Sequence, residues 1–410
     1  MGNALSKNNL SENSLWRNNN FLLIWFGSTA SSFGYQMYIV AIPLLIYQLT
    51  ESALAMSTMR AIEFFPNIFI GMIAGVLVDR YNRKKMMQWT SFIQVFSMTA
   101  ILILVMSDAI SLWHLYLLGF ILTSASYTFG NAHHSVLPQI VTKEQLTSAN
   151  AKISFVSTMI NMIGPGIAGT IIYVLSFSSA LSVYTICLFI SFICVCLFKF
   201  PKTAQKKEKN DQKFWKDMKE GIEELFQNKI LLTPTITVIF VNFASSLVIG
   251  VLVFYVTDQL GSTPDQVGLM YSISAIGGLI GASLVSLIRK RIGRGNIYVH
   301  CLIFDVIGMA ALIIAPNWWT IGIALAIRTF STTISNVVYF TIRQEFTPNH
   351  LLGRVAGTSS MLMKLSLPLG LFIAGVWAEY LPIPILFGIS ASIILCLFIR
   401  LYFHPFRKLV

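Results

Sequence analysis

Charged residues are scarce in this chain: Asp, Glu, Lys and Arg together make up 11% of its 410 residues. A soluble globular domain carries about 25%, so the deficit excludes an ordinary soluble domain and indicates a protein that lies mostly in lipid. Cysteine is also scarce, with five residues, all inside apolar runs and none spaced with histidine as a metal ligand. These cysteines indicate packing, and we expect neither a disulfide framework nor a metal site.

Two further absences narrow the range of functions. The sequence has no G-x-x-x-x-G-K phosphate-binding loop, which argues against an ATP-driven pump in a single chain. No nucleophile and base stand in a catalytic pattern, so we expect no enzymatic activity and no cofactor.

Long apolar stretches take up most of the chain. A helix that crosses a bilayer needs about 20 mostly apolar residues, and twelve stretches meet that length. The predicted spans, numbered 1 to 12 in chain order, are 21–49, 57–78, 86–106, 112–136, 151–175, 179–199, 230–257, 267–288, 296–315, 318–341, 355–380 and 384–404. The sequence therefore predicts an all-α polytopic membrane protein with twelve transmembrane helices.

The basic residues test this count. Of the 29 lysines and arginines, 26 lie in predicted cytoplasmic regions or their immediate flanks, span ends included, when the N-terminus is inside. The remaining three, Arg60, Arg328 and Lys364, lie well within predicted spans. Cytoplasmic loops carry such an excess of bases, so both termini are predicted to be cytoplasmic. The net charge of +12 is then explained by bases that contact lipid headgroups, and we expect no nucleic-acid partner.

The two halves of the chain resemble each other. Sliding the sequence by half its length places Ser126–Asn131 over Ser331–Asn336 and Gln139 over Gln344, the pattern of two six-helix halves related by an axis along the membrane normal. The predicted domains are 1–200, a linker at 201–229 and 230–410. In the linker, apolar residues at helical spacing predict a short helix on the inner membrane surface. These are Trp215, Met218, Ile222 and Leu225.

A signature motif lies between spans 2 and 3. It reads Gly75-x-x-x-Asp79-Arg80-x-x-Arg83-Lys84, preceded by Gly71, and it resembles the loop between helices 2 and 3 of the major facilitator superfamily. Asn82 stands where that family usually has glycine, and asparagine tolerates the left-handed conformation that a turn can require. With the segment from Leu137 to Ala151, the chain is most similar to the drug-exporter branch that includes macrolide efflux proteins.

The resemblance implies a role for the motif. Asp79 is predicted to dock on the N-terminal N–H groups of span 11, which carry a partial positive charge, when the protein is closed to the cytoplasm. Arg354 is expected to reinforce that contact. The alternative is a plain turn placed by its positive charge, but Val285 replaces Asp79 in the second half, which favours a specific gate. The expected gate residues are Gly71, Gly75, Asp79, Arg80, Arg83, Lys84 and Arg354.

Ionisable residues inside the spans are candidates for proton coupling, because a charge in mid-membrane usually faces a cavity or a partner. Arg60 and Glu63 are three residues apart and share one helix face. They form either a self-neutralising pair near the outer surface or a proton acceptor with a tuning base. Asp305 and Arg328 lie near mid-depth in spans 9 and 10, and the sequence does not say whether they pair.

Polar residues on spans 4 and 10 repeat every three or four positions, which predicts one polar face on each helix. Interhelical hydrogen bonding and a cavity lining both explain such a face. The resemblance favours the lining, since helices 1, 4, 7 and 10 line the central cavity in this superfamily. The expected cavity residues are Gln36, Tyr38, Tyr127, Asn131, Asn242, Tyr255, Asn336 and Tyr339. Gly164, Pro165 and Gly166 are expected to bend span 5.

Together these features predict a secondary active efflux transporter of amphiphilic drugs or macrolide-like compounds. We expect proton antiport by alternating access, a monomer in the plasma membrane of a bacterium, and a small amphiphilic substrate, protons and membrane lipid as its partners. Two alternatives stay open: an exporter of a self-made siderophore or peptide antibiotic, and a membrane receptor or enzyme built on a similar bundle. The direction of transport follows from the family resemblance alone.

Overall fold

The computed structural model describes residues 15–80, 82–199, 211–348 and 350–409, and in those ranges the regular structure is helical. Side chains at 69–80 and 211–218 fall outside the description. The described α-helices are α1 (Asn19–Thr50), α2 (Ala53–Arg80), α3 (Arg83–Met106), α4 (Leu112–Ile140), α5 (Leu146–Val174), α6 (Phe177–Leu197), α7 (Asp211–Gln227), α8 (Lys229–Phe254), α9 (Pro264–Arg289), α10 (Arg294–Ile314), α11 (Trp318–Phe346), α12 (Leu352–Tyr380) and α13 (Ile383–Tyr402).

Twelve of these described helices coincide with the twelve predicted spans, and the remaining one, α7, is the short helix predicted in the linker. Ten helices in the described part of the chain are long and apolar enough to cross a membrane. The all-α membrane fold is thus confirmed. Helix α1 has 32 residues, or about 48 Å at 1.5 Å per residue, which is longer than the hydrocarbon layer.

The chain separates into two units, Met1–Ala41 with Phe69–Lys209 and Ile42–Ile68 with Asn210–Val410. The end of α1 and the first half of α2 therefore pack with the second unit, although they belong to the first half of the sequence. This grouping records contacts in one conformation. The predicted domains, which follow the repeat, stay a prediction.

In the first unit, α3 packs against α4 and α6. Small and branched apolar side chains from four helices form a buried cluster, as expected where helix backbones approach closely. The cluster consists of Ile24, Met87, Ala132, Val136, Val195 and Phe198.

In the second unit, neighbouring helices follow the order α9, α11, α10, α13, α8 and α12, and α7 rests on α12. Leu225 of α7 packs with Leu231 and Val355 in a buried cluster. The linker helix is thus attached to the second unit through its apolar face.

Asn82 lies directly before α3. It has φ −63° and ψ 112°, and its side chain accepts a hydrogen bond from the Lys85 N–H at 3.2 Å. The left-handed conformation that asparagine tolerates is therefore not used at this residue. Asparagine serves here as an N-cap, a position that it favours because its side chain satisfies a free N–H of the first turn.

Candidate functional site

The signature motif is described in part. Helix α2 continues to Arg80, but the side chains of Gly71, Gly75, Asp79 and Arg80 lie outside the described residues, so the docking of Asp79 stays a prediction. Arg83 starts α3 and donates to the Ser135 carbonyl oxygen of α4 at 3.1 Å. This hydrogen bond joins the N-terminal end of α3 to its neighbour. Lys84 is half-buried.

Arg354 lies in the first turn of α12, as predicted, and forms an ion pair with Glu220 of the linker helix α7. The helices come close at Gly221: a Cβ placed there would lie 2.8 Å from the Arg354 carbonyl oxygen and 2.8 Å from Thr358 Oγ1. Only glycine allows this approach without movement of the backbone. Glu220 was not predictable as a partner, because the two residues are far apart in the chain.

Arg60 and Glu63 form the pair that their spacing predicts, with Nη1 and Oε2 3.1 Å apart. Their side chains are 15% and 8% exposed. The other carboxylate oxygen of Glu63, Oε1, is buried without a hydrogen-bond partner among the described residues. Glu63 lies ten residues from the start of α2, or about 15 Å along the helix.

Asp305 and Arg328 also meet, and they do so in the interior of the second unit. Arg328 Nε donates to Asp305 Oδ1 at 2.9 Å, and Arg328 Nη2 donates to Ser245 Oγ at 2.8 Å. The side chains of the pair are 7% and 2% exposed for Arg328 and Asp305. One network thus joins α8, α10 and α11.

Gln36 is the polar candidate with the clearest contact in the first unit. It is buried, and its Nε2 donates to Asn161 Oδ1 of α5 at 2.9 Å. A Cβ at Gly164 would lie 2.5 Å from Gln36 Cγ, so this glycine admits the Gln36 side chain between α1 and α5. Pro165 and Gly166 follow inside the continuous helix α5 and are buried.

The remaining candidates of the first unit have local contacts. Tyr38 is fully buried and packs against Tyr35 and Tyr184. Asn131 donates to the carbonyl oxygen of Tyr127 at 2.9 Å within α4. These contacts make Tyr38 a packing residue in this conformation, and its assignment to a cavity stays a prediction.

In the second unit, Asn242 donates to the Met363 carbonyl oxygen of α12 at 2.9 Å. The Tyr339 hydroxyl lies 3.2 Å from Thr235 Oγ1. Asn336 is exposed, whereas Tyr255 is buried with its ring edge against Phe387, 5.3 Å between centroids. Asn242 and Tyr339 thus form interhelical contacts, and the Asn336 side chain is exposed.

Sequence reasoning missed a set of contacts at the start of α2. Glu379 of α12 accepts a hydrogen bond from Ser52 Oγ at 2.6 Å and another from the Leu54 N–H at 3.2 Å. In the middle of α2, Asn67 Oδ1 accepts a further hydrogen bond from Lys364 Nζ of α12 at 3.3 Å. An acid at the end of span 11 was the available signal, since a carboxylate suits the positive N-terminus of a neighbouring helix.

Helix α12 also packs closely on α2 at Gly375. A Cβ at Gly375 would overlap Ser57 Oγ and lie 2.9 Å from Leu54 Cα. The first half of α2 is thus held to α12 by one acid and by close backbone packing.

Comparison with known proteins identifies relatives of similar length. The chain is 24% identical to macrolide efflux protein A of Streptococcus pyogenes over 92% of this chain and 94% of the relative. It is 25% identical to the multidrug efflux pump Tap of Mycolicibacterium fortuitum over 87% and 89%. The resemblance to macrolide efflux proteins predicted from the sequence is confirmed.

The fold has counterparts among solved structures. The nucleoside transporter NupG superposes with a TM-score of 0.78 at 11% identity, covering 93% of this chain and 99% of NupG; at that identity the likeness concerns the fold alone. The family model of the Major Facilitator Superfamily matches residues 24–366 and 235–408. The chain is thus a multi-pass membrane transporter, not an enzyme, and it belongs to the Major Facilitator Superfamily.

Proposed function

We propose that this chain is a secondary active exporter of amphiphilic, macrolide-like compounds that exchanges them for protons. The observation that carries the proposal is the full-length match to relatives named for macrolide and multidrug efflux. The scarcity of charged residues and the exposed Asn336 suit an apolar ligand with a few polar groups. The proposed location is a bacterial plasma membrane, with the protein a monomer and both termini cytoplasmic.

The proton site is proposed to be Glu63. A coupling acid must gain and lose a proton as its surroundings alternate between wet and dry, so it needs a protonatable oxygen that its structural partner does not occupy. Glu63 has such an oxygen: Oε2 is bound by Arg60, whereas Oε1 has no described partner. A buried oxygen of this kind is costly to leave unsatisfied, and it is the acceptor that this proposal assigns to the transported proton.

Asp305 is proposed to have a structural role. Its partner Arg328 is held at two nitrogens, by Asp305 and by Ser245, and both members of the pair are buried. If Asp305 left the pair, the positive charge of Arg328 would be buried without a partner in the middle of the unit, which costs free energy. The geometry therefore supports a fixed pair that joins three helices.

Alternating access is proposed to separate the contacts between α2 and α12. Glu379 and Gly375 hold the first half of α2 in the present conformation, and this contact is expected to break when the transporter opens to the outside. Asp79 is proposed to stabilise the opposite state at the cytoplasmic start of α12, as the resemblance implies.

The test is transport by purified protein in proteoliposomes with an imposed pH gradient and a panel of amphiphilic compounds that includes macrolides, a siderophore and a peptide antibiotic. Glu63→Gln is expected to abolish gradient-driven transport. Glu51→Gln changes an acid in the exposed loop between α1 and α2 and is expected to leave transport unchanged. Full gradient-driven transport by Glu63→Gln would show that another group carries the proton.

A further inference from the structure

A groove runs along the exposed face of the second unit between α8, α10 and α13. Its volume is about 940 Å³. Its lining is apolar along almost the whole length, with one serine and one cysteine between the ends. The lining residues are Phe240, Phe243, Ile313, Pro384, Ile385, Gly388, Ile389, Ser392, Ile393, Cys396, Leu397 and Arg400.

The groove is long. It follows α13 over the seventeen residues from Pro384 to Arg400, or about 24 Å at 1.5 Å per step. The hydrocarbon core of a bilayer is about 30 Å thick. At Gly388 the groove is open, since a Cβ there would meet only Ile313 Cδ1, at 3.7 Å. The shape fits an extended hydrocarbon chain.

One end of the groove is charged. Arg400 is exposed in the last turn of α13, and no hydrogen bond or ion pair joins it to another described residue. Two more bases follow in the chain: Lys408, and Arg407, whose Nε donates to Asn296 Oδ1 at 3.0 Å. With the C-terminus cytoplasmic, as in the proposed function, Arg400 lies at the headgroup level of the inner leaflet.

We propose that this groove binds an anionic glycerophospholipid of the inner leaflet, with an acyl chain along the groove and the phosphate at Arg400. An occupant must offer a long apolar body and one anionic end, because the groove has one cation and few other polar groups. Basic sites between transmembrane helices on the cytoplasmic side bind anionic headgroups in this way. The phospholipid is distinct from the transported compound.

The experiment is native mass spectrometry of the full chain in mild detergent, with phosphatidylglycerol and phosphatidylcholine of identical acyl chains in competition. Wild type is expected to retain phosphatidylglycerol preferentially. Arg400→Gln is expected to reduce that preference about fivefold, since one base near an anionic surface contributes about that much, and Arg400→Lys is expected to keep it. Arg291→Gln removes an exposed base beyond the end of α9, outside the groove, and is expected to change nothing.

A groove variant provides the second arm. Gly388→Leu fills the middle of the groove and is expected to lower retention of both lipids, with thermal stability in detergent as the check on folding. Equal retention of the two lipids by wild type, or an undiminished preference in Arg400→Gln, would overturn the proposal. Binding is read without transport, so failure of the lipid site is distinguishable from failure of the exporter proposal.

Discussion

Replacing Asp305 with asparagine is expected to destabilise the protein by about 3–5 kcal/mol, because breaking one side of a buried pair leaves the other charge uncompensated. The partner, Arg328, is 7% exposed and its Nε lies 2.9 Å from Asp305 Oδ1. Ser245 keeps one hydrogen bond to the guanidinium, and the asparagine oxygen can accept another. Among the described contacts of Arg328, no second acid is present to neutralise its positive charge.

Removing both charges is expected to cost less than removing the acid alone. In the double variant Asp305→Asn with Arg328→Met, no ion stays buried, and replacing both members of a buried pair with neutral groups is often close to neutral in stability. The double variant is also expected to retain gradient-driven transport, since the pair is proposed to be structural.

The assay is unfolding in mixed micelles with increasing SDS, followed by circular dichroism, on both single variants and the double. Arg291→Gln, an exposed base, is the control and is expected to stay within about 0.5 kcal/mol of wild type. A cost below about 1 kcal/mol for Asp305→Asn, or a double variant whose cost equals the sum of the singles, would refute the reasoning, because interacting residues are not additive.

Three further outcomes are expected. Gly375→Ala forces a Cβ against Ser57 on α2 and is expected to cost about 1–3 kcal/mol through overpacking, measured by the same unfolding assay. Glu220→Gln breaks the ion pair with Arg354 and is expected to raise maleimide labelling of a cysteine introduced on α7 in inverted vesicles. Asp79→Asn is expected to leave membrane insertion intact and to lower transport severely; unchanged transport at equal expression would contradict the gate.

Matched controls lie on the same helices. A Cβ at Gly357 of α12 would meet nothing within 4 Å, so Gly357→Ala is expected to cause no loss of stability, since alanine favours the helix more than glycine does. An equal loss from both glycine variants would contradict the overpacking against Ser57. Among the described residues, Glu223 of α7 pairs within its own helix, with Lys219 at 3.8 Å. Glu223→Gln is therefore expected to leave labelling of α7 unchanged, and an increase would contradict a specific role for Glu220.

Much of the fold could be predicted from the sequence, because a lipid bilayer permits few backbone structures. Apolar length predicts where helices run, and the bases predict which ends face the cytoplasm. The pair Arg60–Glu63 was predictable for a related reason, since neighbours three residues apart on a helix meet whatever the tertiary structure.

The contacts that join distant helices were not predictable in the same way. Asp305 and Arg328 were both recognised as buried charges, but their pairing depends on how α10 and α11 pack. Glu379 at the end of α12 and Glu220 in the middle of α7 looked like ordinary acids, and only the folded chain brings Ser52 to one and Arg354 to the other. A single sequence carries no signal for such pairs.

The packing of α7 on α12 also provides a water-accessible position for a label that reports on the motion of the transporter. Glu223 is exposed, yet it lies two residues from Gly221, where α7 touches the backbone of Arg354. A fluorophore attached at Glu223 would move with the start of α12. Single-molecule recordings could then follow that helix through a transport cycle without a substitution in any membrane-embedded side chain.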